Sequence, residues 1–321
     1  MKEKIDMVYL WCDGNETEFK KRRQLYSKNV NESSSNEVNG DKRFISNDEL
    51  KYSLRSLEMY APWINHVFIV TDRQKPEWLN IRYDKVTVVD HSEIMPKDII
   101  PCFNSDVIEY FLGFIPGLSE YYLFSNDDTY FGRTAKPEDF FLDNKPIVRV
   151  KKFSGVLINE EDASNYSYLK TVVNSLELIN NTYKKSYKLQ LHHNIDAYTR
   201  TSYITTYNKF KHELNKYIHN RFRDKDDLQR TLFNIDMICN GRGVMRVVND
   251  PPVWKRHFRF FFKNLWESYV DDDSLKARKE ILKYRPLLFC LNGSDYISTE
   301  YQGSMKSFLE EIFPVKSHFE L

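Results

Sequence analysis

Two adjacent carboxylates, Asp127 and Asp128, follow a short apolar segment and are the sharpest chemical signal in the sequence. The segment 121–125 has the length and composition of a buried strand, and Asn126 separates it from the pair. Two carboxylates at a strand end can hold Mg²⁺ or Mn²⁺ through one or two oxygens and leave the remaining coordination positions to substrate phosphates. The alternative is an Asx-type turn, because Asn and Asp are ordinary turn residues.

Acidic residues also close two earlier apolar segments. Asp13 follows the segment 5–12, and Asp72 follows the segment 66–71. From such a position Asp13 could bind the ribose or the base of a nucleotide, and Asp72 could contribute to the same site. Each could equally be a turn residue, and the sequence leaves both alternatives open.

A few basic side chains could complete a site for phosphate. Arg55 lies in a helical pattern and could clamp a phosphate with two parallel hydrogen bonds, or form a surface ion pair. The adjacent His192 and His193 could ligate a metal or act as acid and base; since neighbouring histidines diverge, one of them is expected to reach a site. An arginine in the charged run 221–227 could stabilise a transferring phosphoryl group, and the alternative is a solvated helix start.

The first half of the chain predicts a sheet that brings these strand ends together. Helical segments alternate with short apolar segments, which are 5–12, 66–71, 86–90 and 121–125. This alternation predicts an α/β unit with a mainly parallel sheet. Ligands bind such open sheets at the carboxyl ends of the strands, so the polar residues after the four strands are expected to converge on one cleft. Before the second strand, Ser46 and Glu49 have the spacing of a helix capping box, and Pro62 ends the helical pattern.

The second half of the chain is more polar and more helical. Segments with helical character cover 161–182, 195–217, 224–238 and 272–284, and a strand-like segment follows at 287–291. We therefore predict one catalytic α/β domain over residues 1–321, in which 160–285 is a mainly helical insertion. The polar stretch 31–41 cannot bury apolar surface and is predicted to be a mobile loop.

Composition excludes several classes of protein. The 47 Lys and Arg residues against 46 Asp and Glu give a net charge of +1, which argues against nucleic acid as a partner. Only 10 glycines occur, and neither a GxGxxG nor a GxxxxGK[ST] motif is present, so a backbone phosphate cradle is not expected. No run approaches 18 apolar residues, the amino-terminal segment is not a signal peptide, and the four cysteines form no CxxC pair. These features predict a cytoplasmic protein whose contact with a membrane, if any, is peripheral.

Four blocks of sequence occur in a recognisable order. The first is Ile5-Asp-Met-Val-Tyr-Leu-Trp-Cys-Asp-Gly14, and the second runs from Arg43-Phe-Ile-Ser-Asn-Asp-Glu-Leu-Lys-Tyr-Ser-Leu-Arg-Ser-Leu57 to Asn126-Asp-Asp128. The third comprises His193, Arg223 thirty residues later, and Asp226-Asp-Leu-Gln229, and the fourth is Phe289-Cys-Leu-Asn292. Together they resemble the Stealth family, which includes bacterial capsular polysaccharide phosphotransferases and the catalytic subunit of the lysosomal-enzyme GlcNAc-1-phosphotransferase.

The resemblance implies a GT-A/Rossmann-like α/β fold and transfer of a hexose or N-acetylhexosamine 1-phosphate. The donor would be a UDP-sugar, the acceptor a hydroxyl of an oligo- or polysaccharide, and the released nucleotide UMP. Asp127 and Asp128 become a site for Mg²⁺ (or Mn²⁺) and the diphosphate, with Asp128 also in the catalytic set. Arg55 and Arg223 become phosphate clamps, and His193 a candidate acid or base. Further substrate-binding positions implied by the matching blocks are Asp13, Gly14, Asp72, Asn104, Asn126, Asp227, Gln229 and Asn292.

Two positions depart from the family pattern. His193 is followed by Asn194 and Ile195 where the family often has His-x-Pro, and the spacing to Arg223 favours His193 over His192. Gly293 stands where the family often has an aspartate after the asparagine of the fourth block.

Two other functions stay open at this level. An ordinary glycosyltransferase would release UDP instead of UMP. A non-catalytic carbohydrate-binding protein would use some of the aromatic residues, 15% of the chain, as stacking platforms for sugar rings.

Overall fold

The computed structural model describes residues 3–27, 44, 46–152, 167–193, 195–248, 268–270, 274–293 and 299–321. The loop predicted at 31–41 lies outside these residues. Within them, one five-stranded sheet carries the ends that were expected to converge. Its strands are β1 (Ile5–Leu10), β2 (Val67–Thr71), β3 (Val86–Asp90), β4 (Tyr121–Asn126) and β9 (Asp196–Thr199).

The strand order of this central sheet is β3–β2–β1–β4–β9. The first four strands in the chain are parallel to one another, and β9 runs antiparallel to β4. The chain moves outward from β1 to β3 on one side and returns to the other side of β1 with β4. A crevice therefore opens at the carboxyl ends of β1 and β4. The predicted α/β class with a mainly parallel sheet is confirmed.

Both faces of the sheet are covered, which explains why its strands are nearly continuous apolar runs. Successive residues of β1 point to opposite faces: Met7 and Tyr9 pack into one core, and Val8 packs into the other together with Val70 and Phe124. All five residues of β2 are buried.

Most of the regular structure outside the central sheet is α-helical in the described residues. The α-helices are α1 (Thr17–Ser27), α2 (Glu49–Tyr60), α3 (His91–Ile94), α4 (Ser105–Glu109), α5 (Ser167–Tyr183), α6 (Arg200–Lys209), α7 (Lys211–Leu214), α8 (Thr231–Cys239), α9 (Ser274–Tyr284) and α10 (Thr299–Ile312).

Helix α2 packs on the sheet through an apolar stripe, and it ends before Pro62 as predicted. Its start differs from the predicted capping box. The N-cap is Asp48, in a left-handed conformation (φ 66°), and its side chain makes no capping hydrogen bond. The Glu49 carboxylate turns back and accepts hydrogen bonds from the backbone and side-chain nitrogens of Asn47. Ser46 instead accepts a hydrogen bond from the Trp11 indole at 3.4 Å, so the segment before α2 is tied to the end of β1.

Seven short strands form two further sheets. They are β5 (Thr129–Phe131), β6 (Phe141–Leu142), β7 (Lys145–Lys152), β8 (Leu189–Leu191), β10 (Val244–Val247), β11 (Ser268–Val270) and β12 (Leu288–Gly293). One sheet has the order β10–β7–β6, with β8 also paired to β7, and the other has the order β11–β12–β5.

In the described part of 160–285, α-helices cover more residues than strands do, and the strands join the sheets. This part contributes β8, β10 and β11 to the smaller sheets, and β9 completes the central sheet. The predicted helix 195–217 is therefore a strand followed by α6 and α7, and in the predicted helix 224–238 only the part from Thr231 is α-helical.

The last residues of the chain return to α2 and to the connection between β2 and β3. The backbone N–H of Asn80 donates to Phe319, and that of Leu321 donates to Trp78. Glu320 lies in this segment and pairs with Arg55 of α2. The carboxyl-terminal segment thus holds the face of α2 that points away from the sheet ends.

Candidate active site

The acidic pair lies beside the end of the first strand. Leu10, the last residue of β1, pairs with Asn126, the last residue of β4, so both strands end at the same level. Asp127 and Asp128 follow at once on one side, and Trp11 and Cys12 on the other. Burial and the charge of Asp127 raise the pKa of the Cys12 thiol to about 12, which shows how close the two strand ends are.

Burial is the main cause of the raised pKa values of Asp127 and Asp128. It raises the pKa of Asp127 well above its usual range, and the charges of Glu49 and Asp128 add to the effect. The pKa of Asp128 rises to about 6, mainly through burial; hydrogen bonds from Cys290 and Thr129 oppose this rise. Oδ1 of Asp128 is buried and has no hydrogen-bond partner among the described residues. A cation would stabilise the ionised form of both side chains.

Glu49 is a third carboxylate at this place and was not predicted as a site residue. It is the first residue of α2, and its charge raises the pKa of both Asp127 and Asp128. Burial raises the pKa of Glu49 itself. The sequence pattern around Glu49 indicates only a helix cap, and no local pattern shows that α2 begins beside the acidic pair.

The carboxylate oxygens of Asp127 and Asp128 suit a hard cation whose other ligands come from water and substrate. In the described parts of the chain, no group of three or more His, Cys, Asp or Glu side chains is arranged to hold a metal ion. Mg²⁺, however, is commonly bound through one or two carboxylates, with water and substrate phosphates as its other ligands. Asp127 and Asp128 supply such a pair, and the unpartnered Oδ1 of Asp128 is an oxygen available for coordination.

At the tip of β1, Asp13 and Gly14 form a tight turn. Oδ1 of Asp13 accepts the Asn15 N–H at 2.9 Å, and the Gln74 side chain bonds both the N–H and the carbonyl of Asp13. The Gly14 N–H donates to the carbonyl of Phe44, and a Cβ on Gly14 would lie 2.6 Å from Cβ of Phe44. Glycine is therefore required here by the close approach of another chain segment. Asp13 has the Asx-turn geometry that was its alternative assignment.

Asp72, at the tip of β2, is buried in an ion pair with α1. Nε of Arg22 donates to Oδ2 of Asp72 at 3.1 Å, and Nη2 donates to its backbone carbonyl at 2.9 Å. The pair closes the crevice on the β2 side of β1. The neighbouring His91 is buried, and this burial lowers its pKa to about 4, so it is neutral at pH 7.

Arg223 reaches the same end of the sheet from the other side of the crevice. Its guanidinium donates to Oγ of Ser105 through Nε at 3.2 Å and Nη2 at 2.7 Å. Its charge affects the pKa of Cys12, Asp106 and Glu109. Arg223 thus lies near the end of β1 and near a second group of buried carboxylates.

This second group is built around Arg230. Nε of Arg230 donates to Asp196 at 2.9 Å, and Nη1 lies 3.5 Å from Oε1 of Glu109. Burial raises the pKa of Glu109 to about 7, although Arg230 opposes this shift. Oε2 of Glu109 has no hydrogen-bond partner among the described residues. Glu109 was not predicted; the signal for it was a charged residue in a helix flanked on both sides by Ile108 and Tyr110.

His193 precedes β9 and lies near the Arg230 group. In β9, Asp196 pairs with Phe124 in antiparallel register, and His193 lies three residues before Asp196 in the chain. Burial, with Arg230 and Lys151, lowers the pKa of His193 to about 4. Its Nδ1 is buried and has no hydrogen-bond partner in the described structure. His192 is fixed to the neighbouring sheet by its backbone N–H, which donates to the carbonyl of Arg149 at 2.9 Å.

Three predicted substrate-binding residues are fully buried and build the loop that carries Arg223. Nδ2 of Asn104 donates to the carbonyls at 220 and 222 and to Asp227 at 2.8 Å. Asp227 also accepts from Asn220 and from the N–H of Asp224, and burial raises its pKa to about 7. Gln229 accepts from the N–H of Thr231. These side chains hold the loop instead of facing the crevice.

Arg55 does not join the group at the strand ends. Its guanidinium is 4% exposed and donates to both carboxylate oxygens of Glu320, at 2.8 and 2.7 Å, and to the carbonyl of Phe313 at 2.7 Å. The expected phosphate clamp is therefore replaced by a buried ion pair, because the carboxyl-terminal segment returns to this face of α2.

Asn292 and Asn126 do lie at the acidic pair. The N–H of Leu291 in β12 donates to the carbonyl of Asp128 at 3.1 Å, so the backbone of Asn292 follows directly beside the pair. The carbonyl of Asn126 accepts a hydrogen bond from Oγ of Ser125 at 2.8 Å. The first and fourth blocks thus meet the end of the second in space.

An acidic pair at the carboxyl end of a parallel sheet, with arginines and buried acids beside it, is an arrangement typical of enzymes that act on phosphorylated substrates. Comparison with known proteins agrees with that class. Conserved region 2 of the Stealth proteins matches residues 43–148. The capsular polysaccharide phosphotransferase LcbA of Neisseria meningitidis is 31% identical over 97% of this chain and 84% of its own length.

Two further relatives have related names. The exopolysaccharide phosphotransferase cps2G of Lactiplantibacillus plantarum is 32% identical, over 98% of this chain and 96% of its own. The exopolysaccharide phosphotransferase SCO6023 of Streptomyces coelicolor is 50% identical over 141 residues, and the match spans 44% of this chain but only 23% of that longer protein. The chain belongs to the Stealth family, and the predicted phosphotransferase class is confirmed.

Solved structures are more distant. The galactosyltransferase LgtC, in complex with donor and acceptor sugar analogues, covers 97% of this chain with a TM-score of 0.45 and 9% identity. At that TM-score the likeness identifies neither a substrate nor a site. Within the residues that the structure covers, no helix is both long and apolar enough to span a membrane.

Proposed function

We propose that the protein transfers a hexose or N-acetylhexosamine 1-phosphate from a UDP-sugar to a hydroxyl of an acceptor glycan. The products are a phosphodiester and UMP, and the process served is synthesis of a capsular or other cell-surface polysaccharide. The observation that carries this proposal is the buried Asp127–Asp128 pair at the β1–β4 crevice, with Arg223 near Cys12 at the end of β1. The family relationship supports the phosphoryl chemistry.

Asp127, Asp128 and Arg223 are the residues that we assign to the diphosphate of the donor. Asp127 and Asp128 would hold Mg²⁺ or Mn²⁺, which when bound supplies positive charge against the diphosphate of the donor. Arg223 adds a fixed positive charge where the transferring phosphoryl group would lie. Phosphoryl transfer relies mainly on positioning and on such charges.

The acceptor hydroxyl attacks the β-phosphorus in line with the bond to the leaving UMP. A new O–P bond forms, the bond between the β-phosphorus and the bridging oxygen breaks, and UMP leaves with the bonding electrons. The proton of the hydroxyl must go to a base. With a pKa of about 7, Glu109 matches this task at neutral pH, whereas His193, with a pKa of about 4, is a neutral hydrogen-bonding partner.

The nucleotide product provides the test. The protein is incubated with UDP-sugars, Mg²⁺ and oligosaccharide acceptors, and phosphorus NMR follows the products. UMP and a new phosphodiester resonance in equal amounts are expected. UDP without a phosphodiester would instead identify an ordinary glycosyltransferase and reject the proposal.

The cellular compartment is part of the same proposal. All four cysteines are free, which suits a reducing compartment where disulfides are rare. We therefore place the reaction in the cytoplasm, with any attachment to the membrane peripheral.

A further inference from the structure

The strand that follows the acidic pair is held on both edges. On one edge, β5 pairs with β12, and Thr129 lies opposite Cys290. On the other edge it meets α2, where two serines take the place of a neighbouring strand. Ser53 and Ser56 are three residues apart and share one face of the helix. That spacing matches the backbone groups of Thr129 and Phe131, which point to the same side of β5.

The direction of the hydrogen bonds at Ser53 follows from its single proton. Oγ of Ser53 donates to the carbonyl of Thr129 at 2.6 Å. The Tyr9 hydroxyl lies 3.1 Å from the same Oγ. Because Ser53 has already used its proton, Tyr9 is the donor in this second bond. A chain of two hydrogen bonds therefore runs from β1 through α2 to the residue directly after Asp128, and Ser53 and Tyr9 are both fully buried.

Ser56 completes the attachment one step along β5. Its Oγ accepts the N–H of Phe131 at 3.0 Å and donates to the carbonyl of Ser53 at 2.7 Å. The two serines thus satisfy one carbonyl and one N–H on the edge of β5 that pairs with no strand in the described part of the chain. Without them, two buried backbone groups would be left unpaired.

We propose that Ser53 is a positioning residue for the acidic pair. Its hydroxyl fixes the carbonyl of Thr129 relative to β1, and this sets the place of the Asp128 carboxylate against the end of that strand. Partners that orient metal ligands in this way typically change metal affinity by about 10- to 100-fold when removed. The inference rests on the proposed metal site at Asp127 and Asp128.

The role is distinct from holding α2 in place. The helix is anchored on the sheet by Leu50, Leu54 and Leu57, all of them buried, and on its outer face by the Arg55–Glu320 pair. Loss of one hydroxyl leaves these contacts intact. Its effect is therefore expected at the acidic pair more than in the position of the helix.

The experiment measures Mn²⁺ binding by electron paramagnetic resonance, without substrate and independently of turnover. Ser53→Ala is expected to weaken Mn²⁺ binding by about tenfold or more. Ser53→Thr keeps the hydroxyl and is expected to restore most of the affinity, even though its added methyl group lowers the thermal midpoint. If Ser53 acted through stability alone, Ser53→Thr would bind Mn²⁺ more weakly than Ser53→Ala.

Ser175→Ala is the matched control. Ser175 is a fully buried helical serine, and its Oγ likewise ties the helix to another segment: it accepts the N–H of Gln229 at 2.7 Å and donates to the carbonyl of Thr171 at 2.8 Å. The control is expected to lose thermal stability and keep wild-type Mn²⁺ affinity. Should Ser53→Ala not fold, Tyr9→Phe removes the bond that orients the Ser53 hydroxyl and is expected to weaken Mn²⁺ binding by about fivefold.

The variants Asp127→Asn and Asp128→Asn distinguish a failure of the metal site from a failure of the role of Ser53. Weak Mn²⁺ binding by both, together with wild-type affinity in Ser53→Ala, would overturn the role of Ser53 and leave the metal site standing. Wild-type affinity in both aspartate variants would overturn the metal site and, with it, the role of Ser53.

Discussion

Burial is what distinguishes the acidic residues at the strand ends from ordinary turn residues. An Asx turn exposed to water has no reason to raise a carboxyl pKa, yet the pKa values of Asp127 and Asp128 are both raised by burial and by neighbouring acids. Asp13 follows β1, the strand next to β4, and keeps the turn geometry. The same residue type thus has two roles within one crevice, and only the fold separates them.

The first prediction concerns the acidic pair. Asp127→Asn and Asp128→Asn keep the shape of each side chain and remove its charge, so turnover is expected to fall by about 100-fold or more, because charge stabilisation at the phosphates is lost. Steady-state kinetics and circular dichroism measure activity and fold. Asp143→Asn is the control: Asp143 is exposed in a hairpin turn with φ 49°, which Asn adopts readily. Full activity in either site variant would remove that residue from the site.

The second prediction concerns Glu109. Its pKa is raised to about 7, so the carboxylate is ionised and able to accept a proton only above that pH. As the pH falls below about 7, kcat/KM is expected to drop by about tenfold per pH unit. Glu109→Gln removes the base and is expected to lower kcat by about 100-fold or more at pH 8. A flat profile from pH 5.5 to 8.5 in the wild type would exclude Glu109 as the base.

At the scale of elements, the sequence predicted strands and helices well where periodicity was strong. The strands β1 to β4, β12 and the helices α2 and α9 lie close to their expected places. The strand β9 was missed because Asp196-Ala-Tyr-Thr199 is short, half polar and runs directly into α6. Glu49 and Glu109 were missed for a related reason, since acids in helices are usually exposed and only the packing of other elements buries these two.

The third prediction concerns the attachment of α2. Arg55 and Glu320 form a buried pair, 4% and 3% exposed, and removing one partner leaves an uncompensated buried charge. Glu320→Gln is therefore expected to lower the free energy of unfolding by about 3 kcal/mol. Below the unfolding temperature, kcat/KM is expected to stay within about threefold of the wild type, because the pair lies away from the strand ends. Urea denaturation and kinetics at 15 °C measure the two effects.

Arg55→Lys provides the contrast. Lysine cannot reproduce the two parallel bonds to Glu320, so the same loss of stability with retained turnover is expected. A variant as stable as the wild type but without turnover would return Arg55 to the phosphate site.

At the scale of the whole molecule, the aromatic excess belongs largely to the core. Of the described side chains, the largest that are fully buried are all aromatic: Tyr9, Tyr52, Tyr110, Tyr122, Tyr130, Tyr198, Tyr203, Phe124, Phe131, Phe140, Phe233 and Phe289. Tyr168 is the only aromatic residue among the large hydrophobic side chains that are exposed in the described ranges. Stacking platforms for a non-catalytic sugar-binding protein would have to be exposed, so this distribution favours the enzyme.

The last prediction concerns the salt dependence of donor binding and follows from the net charge. With 47 basic and 46 acidic residues, the chain has almost no long-range field, and the cationic groups at the crevice lie among buried acids. Charges separated by more than a Debye length, about 10 Å at 0.1 M salt, are screened, whereas buried pairs are screened much less. Recognition of the anionic donor is therefore local. At constant free Mg²⁺, kcat/KM for the donor is expected to change by less than about threefold between 50 and 300 mM NaCl. A decline of tenfold or more over that range would show instead that a basic surface attracts the substrate from a distance.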